Sequence, residues 1–248
     1  MLIEQIASGP AWSPATQAGH TYRANCSRLG SLVRVAVRSV SQSANEVYRS
    51  LYIEPARPLS SEQLKAHAEL ADAADGTFLL HEWAAVMLVT FAETYLQDVL
   101  VECAKADASL LGEAKPVATF EAVNSSCSLD ELREEMLYQW ARTFVDDGGP
   151  TRWMGRLERM GVSTSKDNLR VIEELWGVRH LSVHRAGVVS ADFSRRYPSR
   201  ASRAGERIIL NHPEVIAYFE AVHGMLRPID EAFAARIHAK SQSRAGAV

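Results

Sequence analysis

The 248-residue chain sets 27 Lys and Arg against 30 Asp and Glu, with 47% hydrophobic and 23% charged residues. Those proportions exclude a disordered, collagen-like or polybasic chain and favour one large domain over two small ones. The longest uncharged apolar run, Trp83 to Ala92, is well short of the ~20 residues of a membrane helix. The opening Met1-Leu2-Ile3-Glu4 lacks a basic signal region, and Cys26, Cys103 and Cys127 follow no disulfide or metal spacing. A cytoplasmic protein is expected, with no membrane partner, metal or cofactor.

Residues 1 to about 20 are rich in Gly, Pro, Ser and Ala and predict a loosely ordered arm. Over 28–53, Leu29, Val33, Ala36, Val40, Val47 and Leu51 follow helical spacing, although Val33 to Val37 alternates like a strand; helix is favoured. Ser60-Ser61-Glu62-Gln63 has the form of a capping box and opens a helix through Ala74. Asp75-Gly76-Thr77 then breaks the chain, with Thr77 as N-cap of a helix from Phe78 to about Ala106. That helix is apolar on nearly every side, which places it at the centre of a bundle. Ser128-Leu129-Asp130-Glu131 caps a helix ending near Asp147 to Pro150, and a short helix follows at 153–160.

The next helix, roughly Lys166 to Gly187, carries Arg179-His180-Leu181-Ser182-Val183-His184. Residues 190–211 read as a loop with a small strand at 208–210. Asn211, with Glu214 three residues on, caps a last helix to about His238, and Ser241 to Val248 reads as a disordered tail. Helices outnumber strand-like runs throughout, so the expected fold is an all-α bundle with an N-terminal arm. The expected division is residues 1–75, 76–240 and 241–248.

Arg179 falls on the line Ile172–Trp176–Val183, where a structural helix would carry Leu. A buried guanidinium there needs a partner or a ligand. At ~100° per residue, Arg179 and His184 stand about 140° apart, whereas His180 and His184 share a face. Three readings stay open. The histidines could bind a metal, although the Glu of His-Glu-x-x-His is missing and no Cys lies nearby. Arg179 could serve a buried ion pair. Or arginine and histidine together could serve a phosphate, one binding the anion and the other moving a proton.

From Arg179 to Arg207 the chain holds arginines at 179, 185, 195, 196, 200, 203 and 207 against the acids Asp192 and Glu206. This is either a solvated basic loop or a footprint for phosphates, with Arg185, Arg195, Arg196, Arg200 and Arg203 as the candidate contacts. Tyr197 among them is a candidate for stacking on a base. Glu93 shares a line with Val86 and Leu100; it is either a solvated carboxylate or a group that orients Arg179, a role for which Glu82 competes. Trp83, Trp140 and Trp176 read as core anchors.

Arg-His-Leu-Ser-Val-His resembles the signature of the HEPN superfamily: arginine, then Asn, Asp or His, then three residues and histidine. The run from Leu175 to Val189 is similar to the corresponding stretch of RiboL-PSP-type HEPN domains. Phe91 to Asp98 resembles their first core helix, and Gly205 to Leu210 with the last helix resembles their C-terminal end. The resemblance covers roughly residues 76–238. It implies a helical bundle that pairs through the motif helix, and a metal-independent endoribonuclease acting as a toxin or in antiviral defence. Arg179 and His184 become the catalytic pair, His180 takes the auxiliary position where Asn is more usual, and RNA is the substrate. A neutralising antitoxin or a defence-system protein is the further partner implied. The alternative is an inactive HEPN domain that binds RNA or nucleotide, or assembles with a protein.

Overall fold

A computed structural model describes residues 12–52, 61–112, 118–146, 148–162, 166, 168–200 and 203–245. Among these, eight α-helices and no strand are present. They are α1 Gln17–Tyr52, α2 Ser61–Ala106, α3 Phe120–Ser125, α4 Leu129–Asp146, α5 Gly149–Arg159, α6 Leu169–Arg185, α7 Ala191–Arg196 and α8 His212–Ala245. Single 3-10 turns occupy Ala108–Leu111 and Pro198–Arg200. The all-α expectation holds.

Several boundaries differ from the sequence reading. The expected break at Asp75-Gly76-Thr77 lies inside α2, which runs unbroken for 46 residues. Gly76 costs a helix about 1 kcal/mol without ending it. The strand expected at 208–210 is reduced to an isolated antiparallel bridge between Val188 and Arg207. The expected loop 190–211 contains α7 and a 3-10 turn. The last helix continues through Ser241 to Ala245. Ser60, of the capping box proposed for α2, is outside the described residues. The 76–106 part of α2 is long and apolar enough to cross a bilayer, contrary to the count of uncharged residues, but 56% of its most apolar window is buried within the protein. Such burial is that of a bundle's core helix.

The chain forms two compact units. One, the hub unit, comprises Gly9–Cys26, Leu88–Trp176 and Tyr218–Val248. Residues 1–11 of the expected arm lie outside the described residues; from Trp12 onward it is packed, with Trp12, Thr16 and Ala18 buried. Asp230, fully buried on α8, accepts hydrogen bonds from the Ala15 amide at 2.6 Å, the Thr16 hydroxyl and the Tyr95 hydroxyl at 3.3 Å. A Cβ on Gly19 would lie 2.5 Å from an Asp230 carboxylate oxygen, so only glycine allows this approach. Around the carboxylate, the rings of Trp12, Tyr22, Tyr95 and His223 meet with centroids 5.4–6.4 Å apart, within the range of favourable aromatic pairing. Burial pushes the Cys26 thiol up to about 12 and the Tyr95 phenol well above its ordinary value.

The other, the motif unit, comprises Ser27–Met87 and Gly177–Ala217 among the described residues. Leu29, Val33, Val178, Leu181, Val189, Phe193, Ile208 and Val215 form its core. Asn211 and Glu214 complete the predicted capping box: Glu214 N–H donates to the Asn211 side chain at 3.0 Å, and Asn211 N–H to the Glu214 carboxylate at 2.8 Å.

Candidate functional site on the motif helix

α6 folds as its spacing requires, but its buried stripe is Ile172, Leu175, Val178 and Leu181 rather than the line ending at Val183. Val183 is 52% exposed. His180 and His184 are exposed beside it, with ring centroids 4.8 Å apart. Arg179 is half-buried, about 40° round the helix from Val183 and so at the edge of the exposed strip. The solvent-facing strip of α6 thus carries two adjacent imidazoles on one side of an exposed valine and a guanidinium on its other side.

About two turns before His184, and within ~20° of its line, the helix is packed closely. A Cβ on Gly177 would come within 2.9 Å of the Phe193 ring and 3.3 Å of the Tyr197 ring. Glycine there lets α7 and the following turn pack directly on the motif helix. After Arg185 the chain turns through Ala186 (φ 50°) and Gly187 (φ 76°), and the Gly187 amide donates back to the Leu181 carbonyl at 3.0 Å. A Cβ on Gly187 would meet a Glu82 carboxylate oxygen at 2.8 Å. Glu82, 6% exposed, accepts from Arg207 at 3.2 Å. Sequence reasoning placed Glu82 as a rival partner for Arg179 and Arg207 in the basic loop. Their pairing spans 125 residues, so no local pattern signals it.

Glu93 belongs to the hub unit, where it accepts the Trp176 indole N–H at 3.3 Å. Trp176 also meets Trp153 edge-on at 4.9 Å and is the anchor expected of it. Trp83, expected in the core, is 46% exposed, and Trp140 is half-buried.

The arginine-rich segment divides. Tyr197, expected to stack on a base, is 4% exposed and packs against Phe193 at 4.9 Å, so its ring belongs to the core. Arg200, expected on RNA, has a nearly buried side chain paired with Glu214 at 2.8 Å. Arg195 pairs with the exposed Asp192, a contact worth little in water. Arg185, Arg196 and Arg203 are exposed, with no carboxylate partner for their side chains among the described residues. The footprint that remains is these three guanidinium groups, with Arg195 weakly held beside them.

Near the end of the segment, His81 Nδ1 lies 3.2 Å from the Leu210 carbonyl and its ring 5.6 Å from that of His212. Burial pushes both imidazoles below their ordinary value. Neither was singled out from sequence, because nothing local marks a histidine as buried. Among the described residues, no group of three or more His, Cys, Asp or Glu side chains is placed to hold a metal ion. No protein-family model matches the chain, and neither does any curated protein or solved structure.

Proposed function

We propose that the chain is a HEPN-type endoribonuclease that needs no metal, works as a homodimer and acts as a toxin or antiviral-defence effector. One observation carries the reading: α6 presents His180 and His184 side by side on a solvent-facing strip with Arg179 at its border. These are the residues and the spacing that the motif resemblance assigns to catalysis. His184 takes the proton of a ribose 2′-hydroxyl, and the 2′-oxygen forms a bond to the adjacent phosphorus. The bond from phosphorus to the 5′-oxygen breaks, and that oxygen takes a proton from solvent. The products are a 2′,3′-cyclic phosphate and a 5′-hydroxyl. Arg179 stabilises the charge on the phosphoryl oxygens in the transition state, His180 assists at the same strip, and Arg185, Arg196 and Arg203 hold the RNA backbone.

Arg179 and His184 diverge by about 140° on one helix, so one copy converges poorly on a single phosphate. A second copy facing the same strip supplies the missing direction. The exposed Val183, between the histidine pair and Arg179, supports this pairing, since an apolar side chain there gains from being covered.

The test is cleavage of labelled RNA in EDTA by wild type, Arg179→Ala and His184→Ala, with product ends analysed. Wild type is expected to leave cyclic phosphates. His184→Ala is expected to lose a factor of ~10²–10⁴, and Arg179→Ala a factor of ~10²–10³. Cleavage that persists at a 2′-deoxy position rules out this chemistry. Absence of cleavage by wild type, with RNA still bound, favours the binding-module alternative.

A further inference from the structure

The hub unit contains an open cleft of about 710 Å3 lined by Trp140 and Phe144 of α4, Arg156 and Arg159 of α5, the turn from Ser109 to Gly112, and Arg236 of α8. No residue of the motif lines it. We propose that this cleft is a binding site for a nucleoside monophosphate, with the base on Trp140 and the phosphate on Arg159.

The charge of the lining points to an anion. Three guanidinium groups face the cleft and no carboxylate lines it. Two of the three are fixed by the fold. Arg156 donates to the Phe144 carbonyl at 2.7 Å, capping the C-terminal end of α4, and lies over the Phe144 ring at 5.4 Å. Arg236 donates to Asp107 at 2.8 Å and to the Met160 carbonyl at 3.2 Å. Asp107 behind it is shared with Lys240 at 3.5 Å, so the carboxylate offsets less than the cations supply. Its own pKa is held well below the carboxylate range, first by the Ser109 hydroxyl and then by Arg236.

Arg159 differs from both. It is exposed, and its guanidinium has no hydrogen-bond or ion-pair partner among the described residues. All its donors are available, in the planar fork that matches phosphate oxygens. The half-buried Trp140 supplies an aromatic face in the same cleft, and stacking of a base on such a face contributes on the order of 1–3 kcal/mol in single-stranded nucleic-acid sites. The volume is that of a small-molecule site, which favours one nucleotide over a polymer. Cation, aromatic face and size together select a phosphorylated aromatic ligand.

The experiment is isothermal titration of the full chain with AMP, GMP, CMP and UMP, and with adenosine and inorganic phosphate separately. At least one monophosphate is expected to bind at one site per chain, with adenosine and phosphate each weaker by about tenfold or more. Arg159→Gln, at an exposed position, and Trp140→Leu are each expected to weaken the monophosphate by about tenfold or more, with an unchanged urea midpoint for Arg159→Gln. His184→Ala is expected to bind as wild type, which separates the cleft from the motif strip whether or not the chain cleaves RNA. The proposal is overturned if no monophosphate binds more tightly than about 1 mM. It is equally overturned if Arg159→Gln binds as wild type, or if His184→Ala abolishes binding.

Discussion

The hub unit and the motif unit spend their side chains differently. The hub unit turns the rings of Trp12, Tyr22 and Tyr95 inward near the buried Asp230 and, among its described residues, exposes the large hydrophobic side chains of Val123, Leu129 and Tyr138. The motif unit exposes Leu32, Val35, Phe78, Leu79, Trp83, Val183, Val188 and Ile209. Its part-buried ion pairs, Glu82 with Arg207 and Arg200 with Glu214, brace the motif helix and the segment after it. One region is finished within the chain. The other, among its described residues, leaves more large apolar side chains facing solvent.

The sharpest way to break this contrast is Asp230→Ala. It leaves the Ala15 amide and two hydroxyls without their buried acceptor and is expected to cost about 3 kcal/mol or more in urea unfolding. A loss below about 1 kcal/mol would show that the hub is not held by this carboxylate. Next comes Gly187→Ala in the motif unit. Its φ of 76° and the 2.8 Å approach to Glu82 predict a loss of about 2 kcal/mol, read as a lower urea midpoint.

A smaller, pH-dependent effect comes from His223, which burial among the hub's rings holds below its ordinary pKa, with Arg23 acting in the same direction. Because the folded state disfavours the proton, the unfolded chain binds more of it as pH falls below about 6.5. The neutral ring's contribution is therefore complete above that pH and is lost as pH drops toward the folded value. His223→Phe is expected to flatten part of the fall in urea midpoint between pH 7 and 5. His81 and His212 give the motif unit the same sign of dependence.

Ala186→Gly sharpens the comparison from the other side. It relieves a non-glycine residue held at φ 50° and is expected to raise stability by about 0.5 kcal/mol, the relief of strain being partly offset by unfolded-state entropy. Smallest of all in stability is Val183→Lys, expected within about 0.5 kcal/mol of wild type. Its readout is sedimentation: the wild-type chain is expected to associate with itself and the variant to remain monomeric. A variant that still pairs would place the partner surface elsewhere.

Local signals were read correctly where local physics decides. The Asn211–Glu214 cap and the periodicity of α6 need only neighbours within a few residues, and both are present in the structure. Ser128 likewise receives the Glu131 amide at 3.2 Å, although the Glu131 carboxylate reaches back to Cys127 rather than to Ser128 itself. The sequence could not reveal which arginines were already spoken for. Arg200 and Arg207 look like Arg185 and Arg196 in composition and neighbourhood; only the fold brings Glu214 and Glu82 to the first pair. Tyr197 was misread for the same reason, since its burial depends on a glycine twenty residues away making room for its ring. In an apparently loose arm, Thr16 is buried where Asp230 of α8 accepts from its hydroxyl, and Trp12 where its ring packs on Tyr22, Tyr95 and His223.

That last contact also sets an order of events during synthesis. The Thr16 hydroxyl finds Asp230 across 214 residues of chain, so the ribosome makes the donor long before the acceptor exists. At ~5–20 residues per second, roughly 10–40 s pass with Trp12 and its neighbours waiting for α8. The hub unit is completed only once Asp230 and α8 have been made, and until then its aromatic rings are open to chaperones and to other nascent chains.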